Sequence, residues 1–167
     1  MVEYDFVRQT DGFTCGPTVA LVASAALDPA YGATVRDPSA EQHRIHAAAN
    51  RLWPRKLGTT PWGVAAAISA HTAALGVRYG WHLFRGDLRA ALAAVECDWP
   101  VAMLIGAGIP RHWVLIVGHS DGVLRCFNPA RGSVASVPVP DVMHRRLGPL
   151  GFPRAFALVL PTRTVRT

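Results

Sequence analysis

Four polar residues, spread over most of the 167-residue chain, have the types that a thiol nucleophile needs around it. Cys15 stands in a Thr-Cys-Gly-Pro segment, and Gln9 precedes it by six residues. His112 and Asn128 follow far downstream. A cysteine nucleophile requires a base, a group that orients the base, and hydrogen-bond donors for the oxyanion formed on attack. These four side chains can fill all of those roles.

The position of Cys15 suggests how its thiol would be activated. The run from Val19 to Leu27 is apolar on all sides, and Pro17 suits the first turn of a helix, so we expect a buried helix here. The Cys15 sulfur would then lie at the helix N-terminus, where the dipole and the free N–H groups favour a thiolate. We therefore expect a pKa below that of a free thiol. The alternative is a packed core thiol.

The other three residues have one expected role each. His112 opens an apolar strand and is the predicted base, with a satisfied core histidine as the alternative. Asn128 is expected to hold one ring nitrogen of His112 and leave the other to face Cys15, although an Asn-Pro step is also a common turn. Gln9 is expected to donate to the oxyanion together with the Cys15 backbone N–H; otherwise it is a solvated loop residue.

At these residues the sequence resembles the papain-like cysteine peptidases, which share the chain order Gln, Cys, His, Asn. The likeness is closer to the bacterial double-glycine leader peptidases and their stand-alone relatives. In those, a Gln precedes a Cys-Gly-Pro turn and a His-Trp strand is followed by an Asp-Pro strand end. The match runs from about Tyr4 to Ser133, with Asn128 in place of the usual Asp. The resemblance implies a papain-like α+β fold, with the nucleophile at the N-terminus of a central helix, and a peptidase activity.

Composition describes a compact globular chain. Half of the residues are hydrophobic and 17% are charged, which argues against disorder. The net charge of +6 comes from scattered arginines without interleaved aromatics, so we expect no nucleic-acid partner. No apolar stretch is long enough to span a bilayer and no signal peptide follows Met1, which predicts a cytoplasmic protein without a membrane partner. We expect one domain over residues 1–160 and a frayed tail over residues 161–167.

Capping and periodicity signals predict three further helices and then a set of strands. The helices are bounded by a Ser39–Gln42 capping box and about Leu52, by Thr60-Pro61 and Gly76, and by Asp87 before an amphipathic run. Short β-prone runs are Val77 to Phe84, Val101 to Ile105, Trp113 to His119, Val123 to Phe127, Val134 to Val137 and Ala155 to Leu160. Helices followed by an antiparallel meander indicate an α+β domain, with the C-terminal sheet packed on the N-terminal helices.

The turn between the strands of His112 and Asn128 decides whether the two side chains share a face. An odd-length loop is required, because a two-residue Asp121-Gly122 loop would place the two side chains on opposite faces and contradict the triad. We therefore predict a three-residue loop, Ser120-Asp121-Gly122, with Gly122 in the left-handed region. His119 is an odd number of positions from His112 and is expected on the other side of the sheet.

The remaining cysteines and histidines suggest no cofactor. Cys97 follows a predicted amphipathic helix and Cys126 lies among apolar residues of a predicted strand, so both are predicted to be buried small hydrophobes. An odd cysteine count suits a reducing compartment. His43 and His46 are three residues apart on a predicted helix. No acidic residue or cysteine joins them at a suitable spacing, so we expect no metal site.

The predicted function is a cysteine hydrolase that forms a thioester at Cys15, with peptides as the substrate class that the resemblance implies. Acyl transfer, transamidation or deamidation on the same scaffold stays open, because the acceptor depends on water access to the cleft. A non-catalytic partner-binding module is the third possibility. Trp62, Trp81 and Trp113 are candidate cleft walls. The sequence leaves the oligomeric state open.

Overall fold

The structure, a computed structural model, describes residues 7–50 and 58–162. Its α-helices are α1 (Cys15–Leu27), α2 (Pro29–Thr34), α3 (Pro38–Ala49), α4 (Pro61–Thr72), α5 (Arg89–Glu96) and α6 (Val139–Met143). Short 3-10 helices cover Ala73–Leu75 and Gly148–Leu150. In the described ranges, no helix is long and apolar enough to cross a membrane.

Six strands in the described residues form one antiparallel sheet. They are β1 (Arg78–Leu83), β2 (Val101–Gly106), β3 (Pro110–Ser120), β4 (Val123–Asn128), β5 (Ser133–Pro138) and β6 (Arg154–Thr162), in the order β1-β6-β2-β3-β4-β5. The predicted meander is confirmed for β2 to β5, while β6 returns to lie between β1 and β2. Because Pro161 and Thr162 pair with β1, the predicted tail begins two residues too early; residues 163–167 lie outside the described part.

The sheet separates two hydrophobic cores. On one face, buried residues of α1 and α4 pack against strand residues such as Trp113 and Phe127. On the other face, α5 and the C-terminal segments cover residues such as Val114 and Cys126. Alternation along the strands produces this division, since successive side chains point to opposite faces. The predicted α+β class is confirmed, with α1 buried between its neighbours.

The predicted helix boundaries are largely confirmed. The side chain of Thr60 accepts from Gly63 N at 3.2 Å, and Gly76 ends the following 3-10 turn with φ 68°. Asp87 lies one residue before the N-cap of α5 and accepts from Arg89 N. The short helix α2 was not predicted.

The capping box predicted at Ser39 and Gln42 is wrong. Asp37 is the N-cap of α3, and its side chain accepts from the backbone N–H groups of Ser39 and Ala40. With its first turn capped from outside, α3 leaves Gln42 free to turn inward, where it is fully buried. The end predicted near Leu52 lies outside the described residues.

The predicted three-residue hairpin loop is also wrong. Ser120 pairs directly with Val123, so the loop is Asp121-Gly122, with φ of 51° and 72° as a type I′ turn requires. The register shifts by one between Ile116 and Gly118, where Val117 has no partner. An unpaired residue in one strand is a β-bulge, and it reverses the alternation beyond it.

The bulge brings two histidines of β3, His112 and His119, to the same face of the sheet. It returns His112 to the face of Asn128, which the two-residue loop alone would have prevented. His119 lies between the bulge and the turn and pairs with Leu124, so it is on that same face, where its Nδ1 lies 2.9 Å from a carboxylate oxygen of Glu96 in α5. The expectation that His119 lies on the other side of the sheet from His112 is therefore wrong.

Candidate active site

Cys15 is the first residue of α1, and the loop before it leaves the helix end without a side-chain cap. Thr14, the N-cap residue, uses its hydroxyl oxygen to accept from the N–H groups of Thr10 and Asp11. The backbone N–H groups of Trp113, Gly16 and Cys15 lower the pKa of the Cys15 thiol, so they lie close to its sulfur. The sulfur therefore lies against the start of α1 and near the backbone of β3 at Trp113, the residue after His112.

The glycine after Cys15 is required by packing. A Cβ at Gly16 would lie 2.7 Å from the Thr59 Cβ and 3.1 Å from the Trp113 ring. The indole Nε1 of Trp113 in turn donates to the Thr59 carbonyl at 2.9 Å. Gly16 thus lets the start of α1, the segment before α4 and strand β3 meet at Cys15.

His112 and Asn128 form a buried pair. His112 Nε2 lies 2.8 Å from Asn128 Oδ1, which also accepts from Ala130 N at 3.1 Å. The amide nitrogen of Asn128 donates toward Leu150 O at 3.4 Å, which fixes the direction of the amide. Because Oδ1 can only accept, His112 carries its proton on Nε2 and leaves the lone pair on Nδ1.

Burial is the main influence on the pKa of both Cys15 and His112. Burial raises the pKa of the Cys15 thiol, against the lowering effect of the N–H groups of Trp113, Gly16 and Cys15 itself. The nearby charge of Asp11 raises it slightly further. Burial also lowers the pKa of His112, against a smaller raising effect of Asn128. The expected low pKa of Cys15 is therefore wrong: the site holds a neutral thiol and a neutral imidazole.

Gln9 directly precedes the loop before α1 in which the Thr14 hydroxyl accepts from the N–H groups of Thr10 and Asp11. Its backbone N–H donates to Pro129 O at 2.8 Å, so the segment is bound to the end of β4, beside Asn128. Its side-chain nitrogen donates to Asp11 O at 2.6 Å, while Oε1 is buried and has no hydrogen-bond partner. An amide nitrogen has two N–H groups, so one remains for a further acceptor.

A cleft of about 460 Å³ opens onto Cys15. Its walls are Gly12, Phe13, Gly58, Thr59, Thr60, Pro61, Trp62, Leu104, Ile109, Pro110, Arg111 and Trp113. Two of the three candidate tryptophans line it: Trp62 is 53% exposed at the rim, and Trp113 is buried at the base. Trp81 does not line it, and instead packs on Trp62 with ring centroids 5.8 Å apart.

The remaining cysteines differ from each other. Cys126 is fully buried, as predicted, and burial raises its pKa to about 12. Cys97 is exposed at the end of α5, so its predicted burial is wrong. His43 and His46 both lie on α3, and the described part of the chain contains no group of three or more metal-ligating side chains.

Solved structures with the same architecture span almost the whole chain. The peptidase domain of Streptococcus ComA, a bifunctional ABC transporter of a quorum-sensing pathway, covers 96% of this chain and 99% of its own, with TM-score 0.59 and 16% identity. A cysteine protease from Carica candamarcensis covers 95% and 92%, with TM-score 0.58 and 14% identity. The fold is papain-like.

A third structure with the papain-like fold contains a peptide. A double-glycine motif protease from an AMS/PCAT transporter, solved with its leader peptide, covers 96% of this chain and 94% of its own, with TM-score 0.56 and 13% identity. No protein-family model and no curated protein matches the chain. At these identities the likeness establishes the fold, and the chemistry has to be argued from the site.

Two residues around the candidate site, Thr59 and Gln42, were not predicted from the sequence. Thr59 joins Trp113 to Gly16, and no local pattern marks it. Gln42 contacts the Gln9 segment, and here a signal was present: Gln42, Ile45 and His46 occupy positions i, i+3 and i+4 of α3, the spacing of a buried stripe.

Proposed function

We propose that this protein is a cysteine peptidase that cleaves amide bonds through a thioester on Cys15. The observation that carries the proposal is a cysteine at the start of a buried helix, in an open cleft, with a strand against it whose His112 is held by Asn128. The start of α1 supplies Cys15, β3 supplies a backbone donor and the adjacent His112, and β4 supplies Asn128 to orient that histidine. A packed core thiol requires none of these, and it would not line an open cleft.

The neutral resting pair sets the order of proton transfer. His112 Nδ1 takes the thiol proton as Sγ attacks the carbonyl carbon, which forms a tetrahedral oxyanion. The oxyanion is held by the Cys15 backbone N–H and the second N–H of the Gln9 amide. Collapse breaks the C–N bond, and His112 returns its proton to the departing amine. Water, activated by His112, then hydrolyses the thioester and releases the acid.

The neutral Asn128 suits this cycle because it orients the ring without carrying a charge. It binds His112 through Nε2–H both before and after proton transfer, so the ring keeps one orientation throughout. Because no buried carboxylate orients His112, the thiolate–imidazolium pair formed by proton transfer must be stabilised by backbone N–H groups around the sulfur. Three such groups, those of Trp113, Gly16 and Cys15, lower the pKa of the Cys15 thiol.

A peptide substrate fits the shape and lining of the cleft. Its exposed walls are mainly apolar, with Phe13, Trp62 and Ile109 all well exposed. Exposed aromatic and aliphatic side chains in a concave site bind apolar side chains and leave the scissile amide to the polar groups. A peptidase with the same fold has been solved with a peptide bound.

Cleavage of a diverse peptide library, mapped by mass spectrometry, tests the proposal. We expect discrete cleavage sites for the wild-type protein and none for Cys15→Ala or His112→Ala, each shown to be folded by circular dichroism. Adding hydroxylamine should divert the acyl group into hydroxamate, which reports the thioester. Library peptides that are amidated by an added amine, without hydrolysis, would indicate a transferase. Cleavage that persists in Cys15→Ala would reject a Cys15 nucleophile.

A further inference from the structure

Gln42 is buried in the interior, and its side chain forms hydrogen bonds with Arg8 and Thr10, the two residues that flank Gln9. Gln42 on α3 is 1% exposed, which is rare for an amide side chain. It lies more than thirty residues from Gln9 in sequence, yet its side chain contacts the residues on both sides of Gln9. These contacts are not needed to form α3, because Asp37 already caps that helix.

Both the nitrogen and the oxygen of the Gln42 side-chain amide form hydrogen bonds. Its Nε2 donates to Arg8 O at 3.1 Å. Its Oε1 accepts from Thr10 N at 2.9 Å and from the Thr10 hydroxyl at 2.8 Å. The donor and the acceptor of one side chain therefore bind a backbone carbonyl and a backbone N–H that flank Gln9. That arrangement fixes the peptide units before and after Gln9 and so restricts the direction of its side chain.

The opposite side of the same segment is bound to the end of β4. Gln9 N donates to Pro129 O at 2.8 Å, and Arg8 Nε donates to Ala130 O at 3.1 Å. The segment is thus held between α3 and the turn that follows Asn128. Only the Gln42 side of this arrangement depends on a side chain that is itself buried and outside the proposed triad.

We infer that Gln42 is a positioning residue for catalysis, which holds Gln9 where its amide can donate to the oxyanion. The inference rests on the proposed function, because it assigns to Gln9 the oxyanion role. Placement errors of about 1 Å can cost two orders of magnitude in rate, so a buried clamp on both neighbours of Gln9 has a catalytic effect. Gln42 itself is not among the residues that line the cleft.

The test compares Gln42→Met with wild-type protein, both carrying Cys97→Ser to remove the exposed thiol. Methionine keeps the length of the side chain and removes both hydrogen-bonding ends. The probe for the oxyanion is p-nitrophenyl acetate, whose attack forms a tetrahedral intermediate. The probe for the thiol is iodoacetamide, whose alkylation forms none. We expect Gln42→Met to slow acylation about tenfold to a hundredfold and to leave alkylation of Cys15 within about twofold.

A double-mutant cycle separates positioning from a general structural effect. In a Gln9→Ala background, Gln42→Met should change the acylation rate by less than about threefold, since the donor it positions is already gone. Thr72→Val is the matched control: it removes another buried side-chain hydrogen bond, from the Thr72 hydroxyl to Val77 O at 2.8 Å, at the far end of α4. It should leave both rates unchanged.

Amide hydrogen exchange gives a readout that needs no substrate. The N–H of Thr10, bonded to Gln42, and that of Gln9 should exchange faster in Gln42→Met than in the Thr72→Val control. If Gln42→Met does not fold, Gln42→Glu takes its place. In its ionised form the glutamate keeps an acceptor for Thr10 and turns a second acceptor, in place of the donor, toward Arg8 O, so acylation should again slow with alkylation unchanged.

The outcomes are distinguishable. Equal losses of acylation in the wild-type and Gln9→Ala backgrounds, or equal losses of acylation and alkylation, would show that Gln42 is only structural. Acylation and exchange that match wild type would overturn the inference directly. A wild-type protein that releases no p-nitrophenol through Cys15 would instead overturn the proposed function, and the positioning role would fall with it.

Discussion

The Nε2 atom of His112 lies 2.8 Å from Oδ1 of Asn128, and this contact depends on a β-bulge five residues further along β3. The hairpin that joins their strands turns through two residues, which alone would place the two side chains on opposite faces of the sheet. The unpaired Val117 reverses the alternation once more. A local irregularity in a strand thus brings the proposed base and its orienting residue together.

We predict that Gly122 stabilises the protein through the type I′ turn that sets this register. Gly122 has φ 72°, where a side chain is strained, so Gly122→Ala should lower the free energy of unfolding by about 1–2 kcal/mol. Gly148→Ala is the control, because an added Cβ there meets nothing within 4 Å, and it should change stability by less than about 0.5 kcal/mol. Urea unfolding measures both. Equal effects would mean that Gly122 is not needed for the turn.

Removal of the Gln9 amide should affect turnover much more than the fold. Gln9→Ala should lower kcat by roughly two to three orders of magnitude, the usual effect of deleting one oxyanion donor. The side chain is only partly buried, so the unfolding midpoint should change little. The measurement is kcat on a peptide from the library screen, alongside thermal unfolding. An unchanged kcat would return Gln9 to the status of a loop residue.

Asn128→Asp should shift the pH dependence of the reaction in a defined direction. Burial lowers the pKa of His112 below 6.5, so in wild type the base stays neutral at neutral pH and activity is lost only as the pH falls through that lowered value. A carboxylate at position 128 stabilises the imidazolium and raises this pKa. The acid limb of kcat/KM should therefore move up by about one pH unit or more. If the acid limb of kcat/KM stays in place or moves to lower pH, the result would contradict the contact between His112 and residue 128.

Thiol alkylation should distinguish the two buried cysteines. In a Cys97→Ser background, iodoacetamide at neutral pH should label Cys15, which lines the cleft and has His112 as its proposed base. It should spare Cys126, whose pKa burial raises to about 12. His112→Ala should slow the labelling of Cys15, because the neutral thiol then lacks its base. Peptide mapping of the labelled protein measures this, and equal labelling of Cys15 and Cys126 would argue against an activated thiol.

The two packed tryptophans offer a matched pair at the rim of the cleft. Trp62→Ala should raise KM about tenfold with little change in kcat, since Trp62 lines the cleft but lies away from the reacting atoms. Trp81→Ala should have a smaller effect, because Trp81 only supports the Trp62 ring. Initial rates over a range of peptide concentrations separate KM from kcat. If Trp81→Ala raised KM more than Trp62→Ala, we would conclude that the peptide binds closer to β1, the strand that contains Trp81.

The elements that depend on neighbouring residues could be predicted from the sequence. The buried helix after Cys15, the Thr60-Pro61 helix start and all six strands follow from periodicity, capping and β-propensity, which act over a few residues. The same short-range logic placed Cys15 at a helix N-terminus and His112 on an apolar strand. The resemblance of the four site residues to papain-like peptidases agreed with the fold that these elements build.

The features that depend on distant partners were decided only by the tertiary structure. Whether Val117 bulges is set by which register buries the two faces of β3 against different cores, and no residue in the turn encodes it. Gln42 satisfies a capping pattern locally, but Asp37 takes that role and burial turns Gln42 toward Gln9. The pKa of Cys15 likewise follows from its burial, which outweighs the helix end that the sequence could reveal. Local patterns specify elements, whereas register, burial and desolvation arise only when the elements pack.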